Sequence, residues 1–308
     1  MNDDIRATVK LLTEHSKEII AGSYKNVDRI FSLTDISGNS PEIAELAETF
    51  GMMSVKVEAR EFSLEQTVKE LREKNAHVES LIRQRAQLSS IFISTVLLTT
   101  VYIFILGFFE TDYITRLPNA SNIREYVSRG IELVTLAVVI SMIKGSTLPL
   151  KNFGLTLKGW KRSVAESLTV SAVAIALLMI IKVLANRYSP GIFKETQVVN
   201  FGYFGFSYVT YLIVAPMQEF ISRGTVQGTL SRLFVGPYNN FVAIMVTSFL
   251  FGALHMCHSI HLSIAALFSS WLWGWMFQRQ KTLVGVGLSH FLVGNAAGLM
   301  GYWTFFSK

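Results

Sequence analysis

Four ionisable side chains interrupt apolar runs in the C-terminal third of the chain. Glu219 and Arg223 lie four residues apart, shortly after Pro216. His255 and His290 lie in two later apolar runs. Ionisable groups in hydrocarbon are costly, so they mark a functional site by default. Because Glu and His can together activate a water molecule or hold a metal ion, these residues predict an intramembrane active site.

The composition is that of an integral membrane protein. Of the 308 residues, 50% are hydrophobic and only 16% are charged, whereas soluble domains carry about a quarter charged residues. Residues 1–90 have a net charge of −3 and the remainder has +9. This division indicates an acidic N-terminal segment followed by a membrane domain with basic loops. No nucleic-acid motif accompanies the basic charge, so no nucleic-acid partner is expected.

Seven apolar stretches are about long enough to cross a membrane. They predict an all-α, polytopic helix bundle in which residues 88–145 hold the first two spans and residues 146–308 form a membrane core. The stretches are 88–109, 126–144, 163–184, 203–230, 238–257, 260–278 and 282–306.

Loop charges orient the predicted spans. Lys158, Arg232 and Arg279 lie in even-numbered loops, and the excess of cations there places these loops in the cytoplasm. The same rule predicts a cytoplasmic N-terminal segment, an external C-terminus at Lys308 and a multi-pass protein of the cell membrane.

The N-terminal segment reads as two helices and a coiled coil. Helical periodicity over 5–20 and 41–53 is broken at Gly38–Ser40. The runs Ile19–Tyr24 and Pro41–Met53 resemble a HAMP linker, a dimeric signal relay, within residues 1–62. A four-three seam over residues 63–87 then predicts a parallel homodimer, with a single solvated helix as the alternative. The seam residues are Leu64, Val68, Leu71, Asn75, Val78 and Ile82.

Three motifs on successive predicted helices resemble the CPBP family of intramembrane proteases, which includes the type II CAAX prenyl endopeptidases and the bacterial Abi proteins. The family signature is Glu-Glu-x-x-x-Arg, then Phe-x-x-x-His, then His-x-x-x-Asn or Asp. Here the first motif reads Gln218-Glu219-x-x-x-Arg223. The second reads Phe251-x-x-x-His255. The resemblance covers about residues 150–300.

The third motif and the first both depart from the family pattern. Gln218 stands at the position of the catalytic glutamate, and a glutamine cannot accept a proton from water. After His290, Gly294 stands where the family has Asn or Asp, and Asn295 follows one residue later. Glu219 could replace the missing acid only if its helix is rotated or distorted, which Pro216 permits.

The resemblance implies two alternative functions. In the first, the chain is an endopeptidase for a hydrophobic or membrane-bound peptide, impaired by Gln218. Its water would be activated by Glu219, His255 and His290. Arg223 would fix the carboxylate, with Phe251 and Asn295 supporting. In the second, the chain is a non-catalytic relative that acts as a dimeric membrane scaffold or sensor.

The same motifs also lead to a prediction of metal binding and to predictions for the effects of substitutions. Zinc or another divalent cation could bind at Glu219, His255 and His290, with a site that holds no metal as the alternative. The sequence alone predicts that Gln218→Glu raises activity by at least about tenfold, equivalent to about 1.4 kcal/mol. It also predicts that Glu219→Leu disturbs folding less than Arg223→Leu, because a freed arginine could extend to the cytoplasmic edge.

Overall fold

The computed structural model describes residues 2–35, 40–109, 111 and 119–306. Most of the predicted break at Gly38–Ser40 and the C-terminal Lys308 therefore lie outside the described residues. The chain divides into two compact units, Met1–Leu81 and Ile82–Lys308. The predicted boundaries at residues 62 and 87 both fall inside one continuous helix, Pro41–Phe109, and they stay predictions.

The first unit is helical. Helix α1 (Asn2–Ile20) and the short α2 (Val27–Phe31) precede α3 (Pro41–Phe109). His15 joins α1 to α3, because its Nε2 lies 3.2 Å from the Ser54 hydroxyl. Farther along α3, the apolar seam residues are exposed, with 57% of Leu71 and 51% of Val78 accessible. Their exposure leaves the stripe available to a partner, and both the HAMP-like segment and the coiled coil stay predictions.

The second unit is a bundle of helices, and the part of the chain that the structure describes contains no β-strand. This confirms the predicted all-α class, and every predicted apolar stretch falls largely on helix. After α3, the helical segments are α4 (Ala120–Gly145), α5 (Trp160–Tyr188), α6 (Phe206–Glu219), the π segment (Phe220–Gln227), α7 (Gly228–Leu233), α8 (Asn239–Leu254), α9 (Ile260–Gln280), α10 (Leu283–Leu299) and α11 (Tyr302–Phe306).

Four helices among the described residues are long and apolar enough to cross a membrane on their own. They are Pro41–Phe109, Asn122–Gly145, Trp160–Tyr188 and Ile260–Gln280. Helices α8 and α10 are apolar but shorter, and α6 continues through the π segment into α7. These helices are those of an integral membrane protein, while the count of seven spans stays a prediction.

Two predicted stretches end earlier than the sequence indicated. The stretch 282–306 is interrupted after Leu299, where Gly301 adopts a φ of 74° that a helix cannot contain. The stretch 238–257 is helical only to Leu254. The chain then turns so that Ser259 can cap α9 by accepting from the Leu262 N–H. His255 is therefore at the end of α8, where its backbone is no longer held within a regular helix.

Small residues let the helices of the core approach closely. A Cβ on Gly285 of α10 would lie 2.5 Å from the backbone carbonyl oxygen of Ser163 on α5, so only glycine fits this crossing. The apolar core beside it is fully buried and joins α3, α4, α9 and α10. Its most buried members include Ile91, Val139, Met276 and Val286.

Candidate active site

Glu219 and Arg223 lie inside the bundle, on either side of the start of the π segment. The π segment begins at Phe220, directly after Glu219, and its wider turn changes the direction of the side chains that follow, including Arg223. Both side chains are buried, with 0% of each residue exposed. The sequence predicted that Glu219 faces inward only if its helix is distorted. Glu219 is buried although the α-helix is regular through Pro216 and Glu219, and the distortion begins only at Phe220.

Each oxygen of the Glu219 carboxylate accepts a hydrogen bond. Arg223 Nε donates to Oε2 at 3.0 Å, and His290 Nδ1 donates to Oε1 at 2.8 Å. Because a carboxylate only accepts, the proton of a neutral His290 ring is on Nδ1 and Nε2 is an acceptor. Arg223 also donates from Nη2 to the Ser270 hydroxyl at 2.7 Å. Glu219 thus orients a histidine and neutralises a buried arginine.

His290 is fixed on its other sides by two aromatic residues. The Tyr211 hydroxyl lies 2.9 Å from Nε2, where it donates to the neutral ring. The Trp273 ring stacks on the imidazole with 4.0 Å between centroids and 25° between planes. Trp273 therefore packs directly against the candidate catalytic histidine.

Tyr211 takes the space that Gly294 leaves open. A Cβ on Gly294 would lie 2.6 Å from Tyr211 Cε1, so an Asn or Asp side chain could not be added without moving the tyrosine. The Asn295 amide instead donates to the Tyr208 carbonyl at 3.1 Å. The structure therefore brings Tyr211, and not Asn295, to His290. No motif pointed to Tyr211.

Gln218 contacts a carboxylate that no motif indicated. Its Nε2 donates to Glu132 Oε1 at 3.2 Å, and Arg129 Nη1 donates to Glu132 Oε2 at 2.7 Å. Glu132 belongs to α4, far from the matched motifs in sequence. The signal that could have found it is its position, because Arg129 and Glu132 are ionisable residues inside the predicted second span. A carboxylate is thus present beside the glutamine that replaces one.

His255 lies between two cavities. Its Nδ1 donates to the Phe251 carbonyl at 2.7 Å, so Nε2 of the neutral ring is an acceptor. The first cavity, which we call the apolar cavity, has a volume of about 480 Å³ and is lined by His255, Tyr211 and His290 among mostly apolar side chains. The second, the small cavity, has a volume of about 80 Å³ and is lined by His255, Glu132 and Gln218.

The donor atoms do not form a metal site in this arrangement. Both Glu219 oxygens are bonded to Arg223 and His290, and both His290 nitrogens have partners. Among the described residues, no group of three or more His, Cys, Asp or Glu side chains could hold a metal ion. Metal binding stays a prediction.

Comparison with known proteins identifies the segment that carries these residues. A family model described as type II CAAX prenyl endopeptidase Rce1-like matches residues 199–295. Searches of curated proteins and of solved structures found no match to the chain. The matched segment includes Gln218, Glu219, Arg223, His255 and His290, whereas Glu132 lies outside it.

Proposed function

We propose that this integral membrane protein is an active intramembrane endopeptidase. The proposal starts from residues 199–295, which are an Rce1-like domain of the type II CAAX prenyl endopeptidase kind. The observation that carries the proposal is that the His255 side chain lines both the apolar cavity and the small cavity. The apolar cavity can receive a substrate, and the small cavity can hold a water molecule beside a carboxylate. A peptidase needs these two features next to each other.

The apolar cavity supports a hydrophobic or membrane-bound peptide as the substrate. Leu177 and Leu272 line it together with Trp303, and the polar groups His255, His290 and Tyr211 lie among these apolar walls. Such a cavity binds apolar segments by removing their surface from water or lipid, and its few polar groups orient the reacting bond.

The small cavity supports activation of water by Glu132. Its volume of about 80 Å³ exceeds the roughly 30 Å³ that one molecule occupies in liquid water. In the proposed step, Glu132 accepts a proton from water as the water oxygen bonds to the peptide carbonyl carbon. Glu132 then gives the proton to the amide nitrogen as the C–N bond breaks. His255 Nε2 accepts a hydrogen bond from the same water and orients it. Gln218 positions the Glu132 carboxylate.

The Tyr211 hydroxyl supports the opposite side of the reaction. As the carbonyl oxygen becomes negative, the Tyr211 hydroxyl can leave His290 and donate to it, so Tyr211 supplies a polar group where Gly294 has none. Glu219 and Arg223 act through His290, because they fix its tautomer and orientation. Each departure from the family motifs therefore has a polar group from another helix beside it. Glu132 lies beside Gln218, and Tyr211 lies beside Gly294.

Tyr211→Phe is expected to lower kcat at least about tenfold with little change in KM, because it removes one donor to the oxyanion. The matched control is Tyr208→Phe, which removes a hydroxyl one turn earlier on α6 and should remain close to wild type. The measurement is steady-state cleavage of a hydrophobic peptide in nanodiscs. Equal rates for the two variants would remove Tyr211 from the mechanism.

A second candidate function is favoured by Gln218 itself. A chain without an acid at this position could keep the fold and the apolar cavity for binding, as a dimeric membrane scaffold or sensor. Glu219 is consistent with this alternative, because it is paired with Arg223 and His290 and lines neither cavity. The two functions differ in one observable, which is turnover by the wild-type protein.

The deciding experiment is a cleavage assay with the full chain in nanodiscs and quenched fluorescent peptides that carry an apolar segment. We expect turnover by wild type and its loss in His255→Ala. His261→Ala is the matched control, because the His261 ring packs on Phe305 and is not a lining residue of either cavity. Absence of turnover with every peptide, or activity unchanged in His255→Ala, would favour the non-catalytic alternative.

We further propose that the chain is a parallel homodimer through residues 63–87. In a Cys257→Ser background, Leu71→Cys lies on the exposed seam and should form an intermolecular disulfide rapidly under mild oxidation. Glu73→Cys lies on the opposite face of the same helix turn and serves as the control. Equal cross-linking at the two positions would contradict a dimer through this seam.

The proposed orientation places the N-terminal segment and Lys158 in the cytoplasm. In the Cys257→Ser background, an impermeant maleimide added to intact cells should label Lys194→Cys but not Lys158→Cys, because the basic loops stay inside. Labelling of both positions after permeabilisation is the control for reactivity. External labelling at position 158 would reverse the orientation.

A further inference from the structure

A concave basic pocket lies where the start of α5, helix α7 and the end of α9 meet. Its volume is about 580 Å³. Among the described residues that line it, six are cationic and one, Glu166, is acidic. The cationic residues are Lys151, Lys158, Arg162, Arg232, Arg279 and Lys281. Glu166 is already paired with Arg279 at 3.4 Å, so the pocket carries a large excess of positive charge.

Hydrogen bonds between its walls hold the basic pocket in shape. The Leu283 N–H donates to the Gly154 carbonyl at 3.1 Å. The Thr282 hydroxyl donates to the Thr156 carbonyl at 2.6 Å. These bonds connect the segment before α5 to the turn between α9 and α10. The backbone around the basic pocket is therefore part of the folded framework.

The cations in the basic pocket are held at a cost. Burial, and then the positive charge of Arg232, lower the pKa of Lys281, and burial lowers the pKa of Arg232. Lys281 also adopts a φ of 55°, which is uncommon for a residue other than glycine. A bound anion would offset the repulsion between these side chains, and the described protein residues supply only one carboxylate to do so.

We propose that the basic pocket binds a phosphate-bearing anion, presented by the headgroup of an anionic phospholipid. Helices α5 and α9 are membrane-crossing candidates, and the basic pocket lies at their adjacent ends, so a lipid chain can lie along them while its phosphate enters the pocket. Basic pockets between membrane helices commonly receive such headgroups. Free inorganic phosphate offers the same chemistry from solution. The proposal is independent of peptidase activity.

The test measures thermal unfolding of the full chain in nanodiscs of three kinds: phosphatidylcholine alone, phosphatidylcholine with phosphatidylglycerol, and phosphatidylcholine with inorganic phosphate in the buffer. For wild type, we expect an increase in Tm with phosphatidylglycerol, because a ligand that binds only the folded state stabilises it. Arg232→Gln/Lys281→Gln should lose most of that increase. Arg187→Gln/Lys194→Gln removes the same charge at the other end of the bundle and should keep it.

An increase that appears only with inorganic phosphate, and that the pocket variant loses, would support the phosphate site and identify its source as the solution. An increase that is the same in the pocket variant and in the charge-matched control would overturn the proposal, as would no increase under any condition. Lys158→Gln/Arg162→Gln provides a second pocket variant if the first does not fold. Native mass spectrometry of retained phosphatidylglycerol should rank the variants in the same order.

Discussion

Glu132→Gln is expected to lower the rate of peptide cleavage by about 10²- to 10⁴-fold, the range for loss of a positioned general base. Glutamine keeps the size of the side chain and can still accept from Gln218, so the small cavity should be preserved. What is lost is the ability to take a proton from water. The measurement is kcat and KM for a hydrophobic peptide in nanodiscs.

Two further variants distinguish the loss of a proton acceptor at Glu132 from damage to the structure. Glu125→Gln changes an exposed acid on the same helix and should leave the rate near wild type. Glu132→Gln/Gln218→Glu exchanges the two groups and should recover activity relative to Glu132→Gln, because a carboxylate is again present. A fully active Glu132→Gln enzyme would exclude Glu132 as the base.

The contact between Gln218 and Glu132 also reverses the effect expected of Gln218→Glu. The sequence alone predicted that Gln218→Glu raises activity by at least about tenfold. In the structure, the Gln218 amide nitrogen is 3.2 Å from Glu132, so a glutamate there would place two carboxylates together. Like charges at this distance repel, and the single variant should be no faster than wild type. The exchange variant escapes the repulsion because only one carboxylate remains.

Arg223→Leu is expected to destabilise the protein by about 3–5 kcal/mol, because it leaves the buried Glu219 carboxylate without its cation. Its guanidinium also donates to Ser270 and lies 5.6 Å from the centre of the Phe251 ring. The measurement is chemical unfolding in detergent micelles. Arg187→Leu, an exposed arginine at the end of α5, should change the free energy of unfolding by less than about 0.5 kcal/mol.

Glu219→Leu should be similarly damaging, contrary to the expectation from sequence. That expectation assumed that a freed arginine extends to the cytoplasmic edge. Arg223 has no exposed surface, and reaching the edge would break its bond to Ser270. The double variant Glu219→Leu/Arg223→Leu should recover much of the loss, since replacing both charges by apolar groups is often neutral. Additive losses in the double variant would show that the pair is not coupled.

Several properties follow from local patterns along the chain. The length and composition of the apolar stretches predicted an all-α membrane bundle, and the structure confirms it, because each helix satisfies its own backbone hydrogen bonds and lipid permits no unpaired alternative. The motifs around Glu219, His255 and His290 predicted a domain of the CPBP type, and the match of the Rce1-like family model to residues 199–295 confirms a domain of this type there. Spacing of four residues sufficed to pair Glu219 with Arg223, since both lie on adjacent turns.

Other properties depend on contacts between helices that are distant in sequence. Gln218 meets Glu132 across 86 residues and Tyr211 meets His290 across 79. Neither pair follows from periodicity, because a helical pattern gives the spacing of side chains on one helix but not which helix lies opposite. The π segment adds a further change of direction that regular geometry does not predict. The packing of the helices therefore decided which residues lie beside Gln218 and Gly294, namely Glu132 and Tyr211. It also decided that six cations cluster in the basic pocket.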